Sequence, residues 1–350
     1  VLLLCVAAAA TAQEVQRGGT VTMGTFRDAT DFDPYGAGGT QNSWLLGNIY
    51  DSLLTYSAEG EFEQGLATAW QYEDPLTLTL TLREGVRFQD GTSFGPEDVV
   101  ATVEKLRSPD TAGSVRARAQ NVDSIEVLDD HTVRFHLKAP DSTLLHSLAG
   151  TGWLVVSADD VAAGFDFKTR TNGTGPFVLQ GWEPERQYVL EANPDYWVEG
   201  LPYLDTFIIQ IIPDDRARVD ALRSGLIDIA DYIPWQDVMT LESDFVVNKW
   251  YTMTTFLRVN QNKAPFDDVR VRQALSYILD RQEINDLAFG GQGSPITGPL
   301  EPKGSLYYSP ELEGTLRKDW DRARELLKEA GYATPADVPP LQMAVSTSAV

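Results

Sequence analysis

Leu76-Thr77-Leu78-Thr79-Leu80-Thr81-Leu82 alternates apolar and polar residues without a fault. It then gives way to Arg83-Glu84-Gly85-Val86-Arg87-Phe88-Gln89-Asp90-Gly91-Thr92 and Gly95-Pro96-Glu97-Asp98-Val99. A period of two belongs to a strand whose leucine face is buried. A helix starts at Gly95-Pro96: proline suits the first turn, and Glu97 and Asp98 favour the positive N-terminal end. Val99, Val103 and Leu106 give that helix one apolar face. Two further strands, around residues 124–128 and 132–137, are joined by an Asp129-Asp130 turn. The segment reads as a small α+β unit.

Outward from this unit the chain is α/β. Gly18 to Thr25 is a short strand between glycines, and Asp31-Phe32-Asp33-Pro34-Tyr35-Gly36 is turn chemistry continued as loop to Thr40. Leu45, Leu46, Ile49, Leu53 and Leu54 fall at helical spacing, which predicts a helix from Ser43 to about Leu54. Downstream of Gly173 to Gly175, strands are predicted at 188–191, 206–212, 226–230 and 251–259. Asp214 caps a helix that runs to Ser224 and stops at Gly225. Asn260 to Pro265 has no periodicity and reads as a crossover. Asp267 or Asp268 caps a helix with Val271, Ala274, Leu275 and Ile278 on one face. A last helix starts near Asp319 and ends at Gly331, and residues 341–345 read as the start of another strand.

The chain has 350 residues, 43% apolar and 23% charged, which is too long for one compact core. Its net charge of −23 repels nucleic acid and anionic membrane, so neither is expected as a partner. Residues 1–12 are an apolar run closing on Ala10-Thr11-Ala12, read as the end of a secretory signal with cleavage before Gln13. No later segment is long and apolar enough to span a bilayer. A lipid anchor at Cys5 is not expected, because the large Leu4 precedes it. Cys5 is the single cysteine, so its removal would exclude disulfides and thiol chemistry.

Catalytic patterns are missing. There is no phosphate loop or dinucleotide fingerprint, and Gly290-Gly291-Gln292-Gly293 runs into Ser294-Pro295 rather than a helix. His131 and His136 are sent to opposite faces of a strand, and His146 lies in a predicted helix, so surface or capping roles are expected rather than a metal or catalytic site. The acid pairs Asp159/Asp160, Asp214/Asp215 and Asp267/Asp268 stand at turns or helix starts, where capping explains them. A hydrolase could hide two carboxylates among 51 acids, but no spacing selects a pair. Asn172-Gly173-Thr174 matches a glycosylation sequon that a tight turn also explains. Trp235, straight after a short strand, is placed where loops line the crevice of open α/β sheets.

Five collinear stretches carry a resemblance. They are Leu66-Ala67-Thr68-Ala69-Trp70 through Val99; Gly173-Thr174-Gly175-Pro176-Phe177; Asn193-Pro194-Asp195-Tyr196-Trp197 with Gly200 to Asp205; Pro265 to Leu275 with Asp280-Arg281; and Glu325 to Tyr332. Together they resemble the family 5 extracellular solute-binding proteins, the dipeptide, oligopeptide and nickel-chelate receptors of ABC importers.

The resemblance implies a periplasmic-binding-protein-like type II α/β fold, two lobes with an extra inserted domain, whose C-terminal part is expected to be missing. Domain I would comprise residues 13–50 and 175–259, domain II residues 51–174, and an incomplete domain III residues 260–350. It implies a non-enzymatic, exported monomer that captures a short peptide or similar small solute between its lobes and hands it to ABC transporter permease subunits. No cofactor and no metal are implied. Nickel-chelate, opine or oligosaccharide binding are the alternatives within the fold, as is a chaperone-like or signalling receptor that shares it without feeding transport; a secreted hydrolase is the alternative from a different class. By position, Phe32, Tyr35 and Thr40 in the first loop, Thr174 and Gly175 in the Gly-rich turn, and Trp235 are the lining candidates. Arg270 and Arg272, although in a family motif, are expected to form ion pairs.

Overall fold

The computed structural model describes residues 16–36, 42–109, 111, 113–248, 255–298 and 308–342, and divides into two compact units at Tyr232/Ile233. In the first unit the elements follow in order. They begin with β1 (Thr20–Thr25), α1 (Ser43–Leu46), β2 (Leu54–Tyr56), β3 (Phe62–Gln64), β4 (Ala67–Asp74), β5 (Thr77–Leu82) and α2 (Pro96–Arg107). Next come α3 (Gly113–Ala119), β6 (Val122–Asp129), β7 (Thr132–Leu137), α4 (Leu144–Leu148) and α5 (Ala158–Ala163). The unit closes with β8 (Phe177–Glu183), β9 (Gln187–Ala192), β10 (Thr206–Ile211), α6 (Asp215–Arg223) and β11 (Ile229–Ala230).

The opening Leu/Thr stretch is β5, at the centre of a four-stranded antiparallel sheet ordered β4-β5-β7-β6. Leu78, Leu80 and Leu82 are buried as the alternation requires, whereas Leu76, one residue before the strand, is exposed. The Asp98 carboxylate accepts from the Gly95 amide at 2.7 Å, closing the first turn of α2 as its Pro-Glu-Asp start predicts. A five-stranded sheet ordered β11-β1-β10-β9-β8 joins β1 to strands more than 150 residues later in the chain. Within it β1 runs parallel to both β10 and β11. Leucines of β5, Val133 and Phe135 of β7, Tyr188 and Leu190 of β9 and Ile209 of β10 share one apolar core.

One predicted helix is shortened. Residues 43–54 hold helical geometry only to Leu46, although Leu45, Leu46, Ile49, Leu53 and Leu54 are all buried as the pattern demands. The carbonyls a longer helix would use are taken by the Gly-rich turn: Gly175 N–H donates to Ile49 O at 2.9 Å and Phe177 N–H to Asn48 O at 3.0 Å. A Cβ at Gly173 would stand 2.0 Å from the Ile49 carbonyl oxygen, so only glycine lets these two segments close.

In the second unit, α7 (Trp235–Leu241), α8 (Val269–Ile278), α9 (Arg281–Phe289) and α10 (Trp320–Glu329) are the α-helices of the described residues. Asp268, Asp280 and Asp319 cap α8, α9 and α10 by accepting from backbone amides. Ala274, Ala323 and Leu326 form the small core where α8 meets α10. Of the strand predicted at 251–259, residues 251–254 lie outside the described residues and 255–259 have no regular structure. Leu341 and Gln342 likewise lack regular structure, and the rest of that predicted strand lies outside the described residues.

Candidate functional site

The sequence-selected residues separate on their surroundings. Phe32 is buried, edge-on to Trp182 at 5.0 Å and Tyr188 at 6.2 Å. Tyr35 is equally buried and donates its hydroxyl to the Leu154 carbonyl. Both side chains pack the core and present no surface to a ligand in this conformation. Thr40 lies outside the described residues. Thr174 is fully buried and donates to the Asp51 carboxylate at 2.9 Å, while Gly175 is pressed on the Ile49 backbone. Trp235, half-buried, opens α7 and lays its ring against Gly290, where a Cβ would approach it to 2.2 Å.

Of the two arginines expected to form ion pairs, Arg270 does so, whereas the hydrogen bonds of Arg272 go to backbone carbonyls. Arg270 pairs with Asp268 at 2.5 Å and donates to the Glu329 carbonyl at 2.7 Å; Arg272 donates to the Phe266 carbonyl at 2.7 Å. The sequon Asn172 is buried, its amide donating to Asp160 at 2.7 Å and Asp90 at 3.0 Å. His131 and His136 face Glu84 and Glu126 on the surface. His146 meets the Tyr56 hydroxyl at 2.9 Å.

The groups left for binding gather where β1, β10 and β11 end together. In a parallel array the carboxyl ends share one side, which is where ligands of open α/β sheets dock. Past those ends come Phe26 and Arg27 from β1, Ile212 from β10, and Asp231 and Tyr232 from β11. Arg218 of α6, fully buried, ties the corner from beneath. It donates to Ile212 O at 2.8 Å, Asp231 O at 2.9 Å, Tyr232 O at 2.6 Å and the Asp215 carboxylate at 2.6 Å. Gly24 leaves the space this needs, since a Cβ there would fall 2.6 Å from the Ile227 side chain and 3.4 Å from that of Arg218.

Above Arg218 the corner carries both signs of charge beside an exposed aromatic ring. Tyr232 sits in left-handed backbone at φ +50° with its ring 52% exposed, edge-on to Phe26 at 4.4 Å. The Arg27 guanidinium stands 5.0 Å from the Phe26 ring and 5.9 Å from that of Tyr232. Its Nε is buried without a hydrogen-bond partner among the described residues, and so is Asp231 Oδ1. Burial raises the Asp231 carboxyl above its ordinary value, opposed by the hydrogen bond from Thr25 and the nearby Arg218 and Arg27. The arrangement gathers a donor, an acceptor and an aromatic pair at one corner, of which the Tyr232 ring is the exposed part. Sequence reading stopped at Trp235; Asp231 and Tyr232, the first residues past the same strand, carried the same positional signal.

Two hollows lie elsewhere among the described residues. One of about 660 Å³ is lined by Phe62, Gln64, Trp70 and Arg83 among others. The other, about 320 Å³, lies beside Arg272 and Tyr277. Among the described residues no group of three or more His, Cys, Asp or Glu side chains could hold a metal ion, and no helix is long and apolar enough to cross a membrane.

Comparison with known proteins is consistent across methods of likeness. The chain is 32% identical over 308 residues to the glutathione-binding protein GsiB of Salmonella typhi, covering 87% of this chain. It spans 60% of the length of that relative. Among solved structures, the binding protein AgaA of A. tumefaciens R10, in complex with agropinic acid, matches with TM-score 0.78 and 30% identity over 90% of this chain and 65% of its own. The periplasmic binding protein DppA of Helicobacter pylori, in complex with the peptide STSA, matches with TM-score 0.75 and 28% identity over 91% of this chain and 67% of its own. The fold is that of the type II periplasmic binding proteins. Residues 61–349 match the family model for bacterial extracellular solute-binding proteins, family 5, and the chain belongs to that family.

Proposed function

We propose that this chain is the solute-capturing part of an ABC import system and that its solute is a short peptide. The observation that carries the reading is the match to a family of solute-binding proteins along residues 61–349. The two-signed corner at the ends of β1 and β11 supports it, because peptides are bound largely through paired donors and acceptors. Relatives named for glutathione and for a bound peptide favour the same class. An opine is the second reading, favoured by the likeness to AgaA with agropinic acid.

In this reading residues 13–50 with 175–259 are domain I, 51–174 the inserted domain II and 260–350 part of domain III. The protein is exported, monomeric and not an enzyme, and it meets permease subunits after ligand closes the lobes. Thr40, Gly175 and Trp235 remain candidates for ligand contact in the closed form. The test is a thermal-shift panel of di- to pentapeptides, an opine, a nickel–histidine chelate and an oligosaccharide on the full-length protein. Peptides are expected to raise Tm. A shift with the opine, chelate or sugar alone overturns the peptide reading, and turnover of any bound compound overturns the non-enzymatic one.

A further inference from the structure

Through Gly65 and Leu66 the chain passes from β3, in the two-stranded sheet, to β4, at the edge of the four-stranded one. Only glycine fits this passage, since a Cβ at Gly65 would fall 2.6 Å from the Ser52 carbonyl oxygen. Beside it lies the hollow of about 660 Å³, a volume within the range of small-molecule sites. Phe62, Glu63, Gln64, Thr68, Trp70 and Arg83 contribute to its lining. The Phe62 ring is backed by Tyr56 at 5.5 Å and His146 at 4.9 Å, which holds it in place as a wall. Arg83, the first residue after β5, donates its Nε to the Gly65 carbonyl at 3.0 Å and lays its guanidinium 4.4 Å from the centre of the Trp197 ring. Its two terminal nitrogens have no hydrogen-bond partner and no carboxylate at ion-pair distance among the described residues. Neither of them is sealed from solvent. A positioned guanidinium therefore presents open donors to a hollow with aromatic walls, in a chain of net charge −23.

We propose that this hollow is a second binding site, for a small monocarboxylate with a flat apolar body. The carboxylate sits on the terminal nitrogens of Arg83, whose planar fork matches its two oxygens. The body packs against Phe62 and Trp70, both half-buried and so partly open to it. Glu63, exposed at the same hollow, opposes a second negative charge on the ligand. The site shares no residue with the corner at the ends of β1, β10 and β11, and it goes beyond the import reading.

Titration calorimetry of the full-length protein with naphthoate, naphthylmethanol and acetate separates charge from body. Naphthoate is expected to bind about tenfold or more tighter than either, the scale of one charge-assisted hydrogen bond or of a buried ring. Arg83→Gln should reduce naphthoate to the affinity of the alcohol. Because Arg83 also holds the Gly65 carbonyl, Glu63→Lys at an exposed position is the second variant. It should tighten naphthoate about threefold at low salt and leave the alcohol unchanged. Equal affinity of naphthoate and either comparison compound overturns the proposal, as does no binding of naphthoate at all. Naphthoate affinity unmoved by Glu63→Lys places the anion elsewhere and also overturns it. The peptide reading stands or falls separately, on the thermal-shift panel.

Discussion

Arg218 answers three carbonyls and one carboxylate with a single guanidinium that has no exposed surface. Planar, permanently charged arginine suits such a fork, and lysine could not reproduce it. Arg218→Leu should therefore leave buried carbonyls without donors and cost about 3 kcal/mol or more, read as a lower urea midpoint at unchanged slope. Asp51 is a second such node, accepting from Thr174 at 2.9 Å and Trp197 Nε1 at 2.8 Å, with Arg83 stacked 4.4 Å over the Trp197 ring. Burial raises the Asp51 carboxyl, opposed by those hydrogen bonds. Thr174→Val keeps the shape and removes a donor from this buried acid, at about 1–3 kcal/mol. Thr174 was selected from sequence for ligand contact because it sits in a Gly-rich turn. Its neighbours explain why the turn, and not the ligand, holds it: Asp51 comes from more than 100 residues earlier in the chain, a pairing no local pattern carries.

Helix starts were legible because a cap is a local bargain between one side chain and the amides two or three residues on. Asp214 accepts from the Ala217 amide at 2.8 Å, and α6 is the element that presents Arg218. Asp214→Ala should cost about 1 kcal/mol, measured by thermal melting, and should loosen the corner above. Asp98 goes further than its own helix. Its second oxygen accepts from the Ala158 amide at 2.7 Å and so fastens the start of α5 to that of α2. Burial, opposed by the Ala158 and Gly95 amides, raises its carboxyl from 3.8 to about 6. The folded state thus holds the proton more tightly than the unfolded chain. The stabilising contribution is complete below about pH 4 and is lost as pH rises through about 6. Asp98→Asn should flatten that loss when urea stability is compared at pH values on either side of the window. The shortened first helix marks where local pattern fails. Its apolar residues are buried as expected, but their carbonyls are taken by Gly175 and Phe177, far along the chain.

The whole molecule carries a net charge of −23, and like charges on a compact body repel. Adding sodium chloride shortens the Debye length from about 30 Å at 10 mM to about 8 Å at 150 mM, so Tm should rise over that range in scanning calorimetry. A flat response would mean that the acids are locally compensated. The acidic surface also makes the cation at the sheet corner informative. Arg218 and Arg270 are engaged with carboxylates, whereas Arg27 meets aromatic rings and keeps an unpartnered Nε.

Sequence by itself determined the class of fold and the family. Alternation in β5, the capping acids of α2, α6 and α8, and five ordered motifs are each written in a few neighbouring residues. Short-range sterics and hydrogen bonding are enough to read them. Tertiary structure alone decided which polar groups are spent and which are free. Phe32 and Tyr35 are apolar mass in the core, while Arg27 and Asp231, about 200 residues apart along the chain, come near each other only because β1 lies between β10 and β11. Burial and partnership are sums over neighbours brought together by the fold, and no window of sequence contains them.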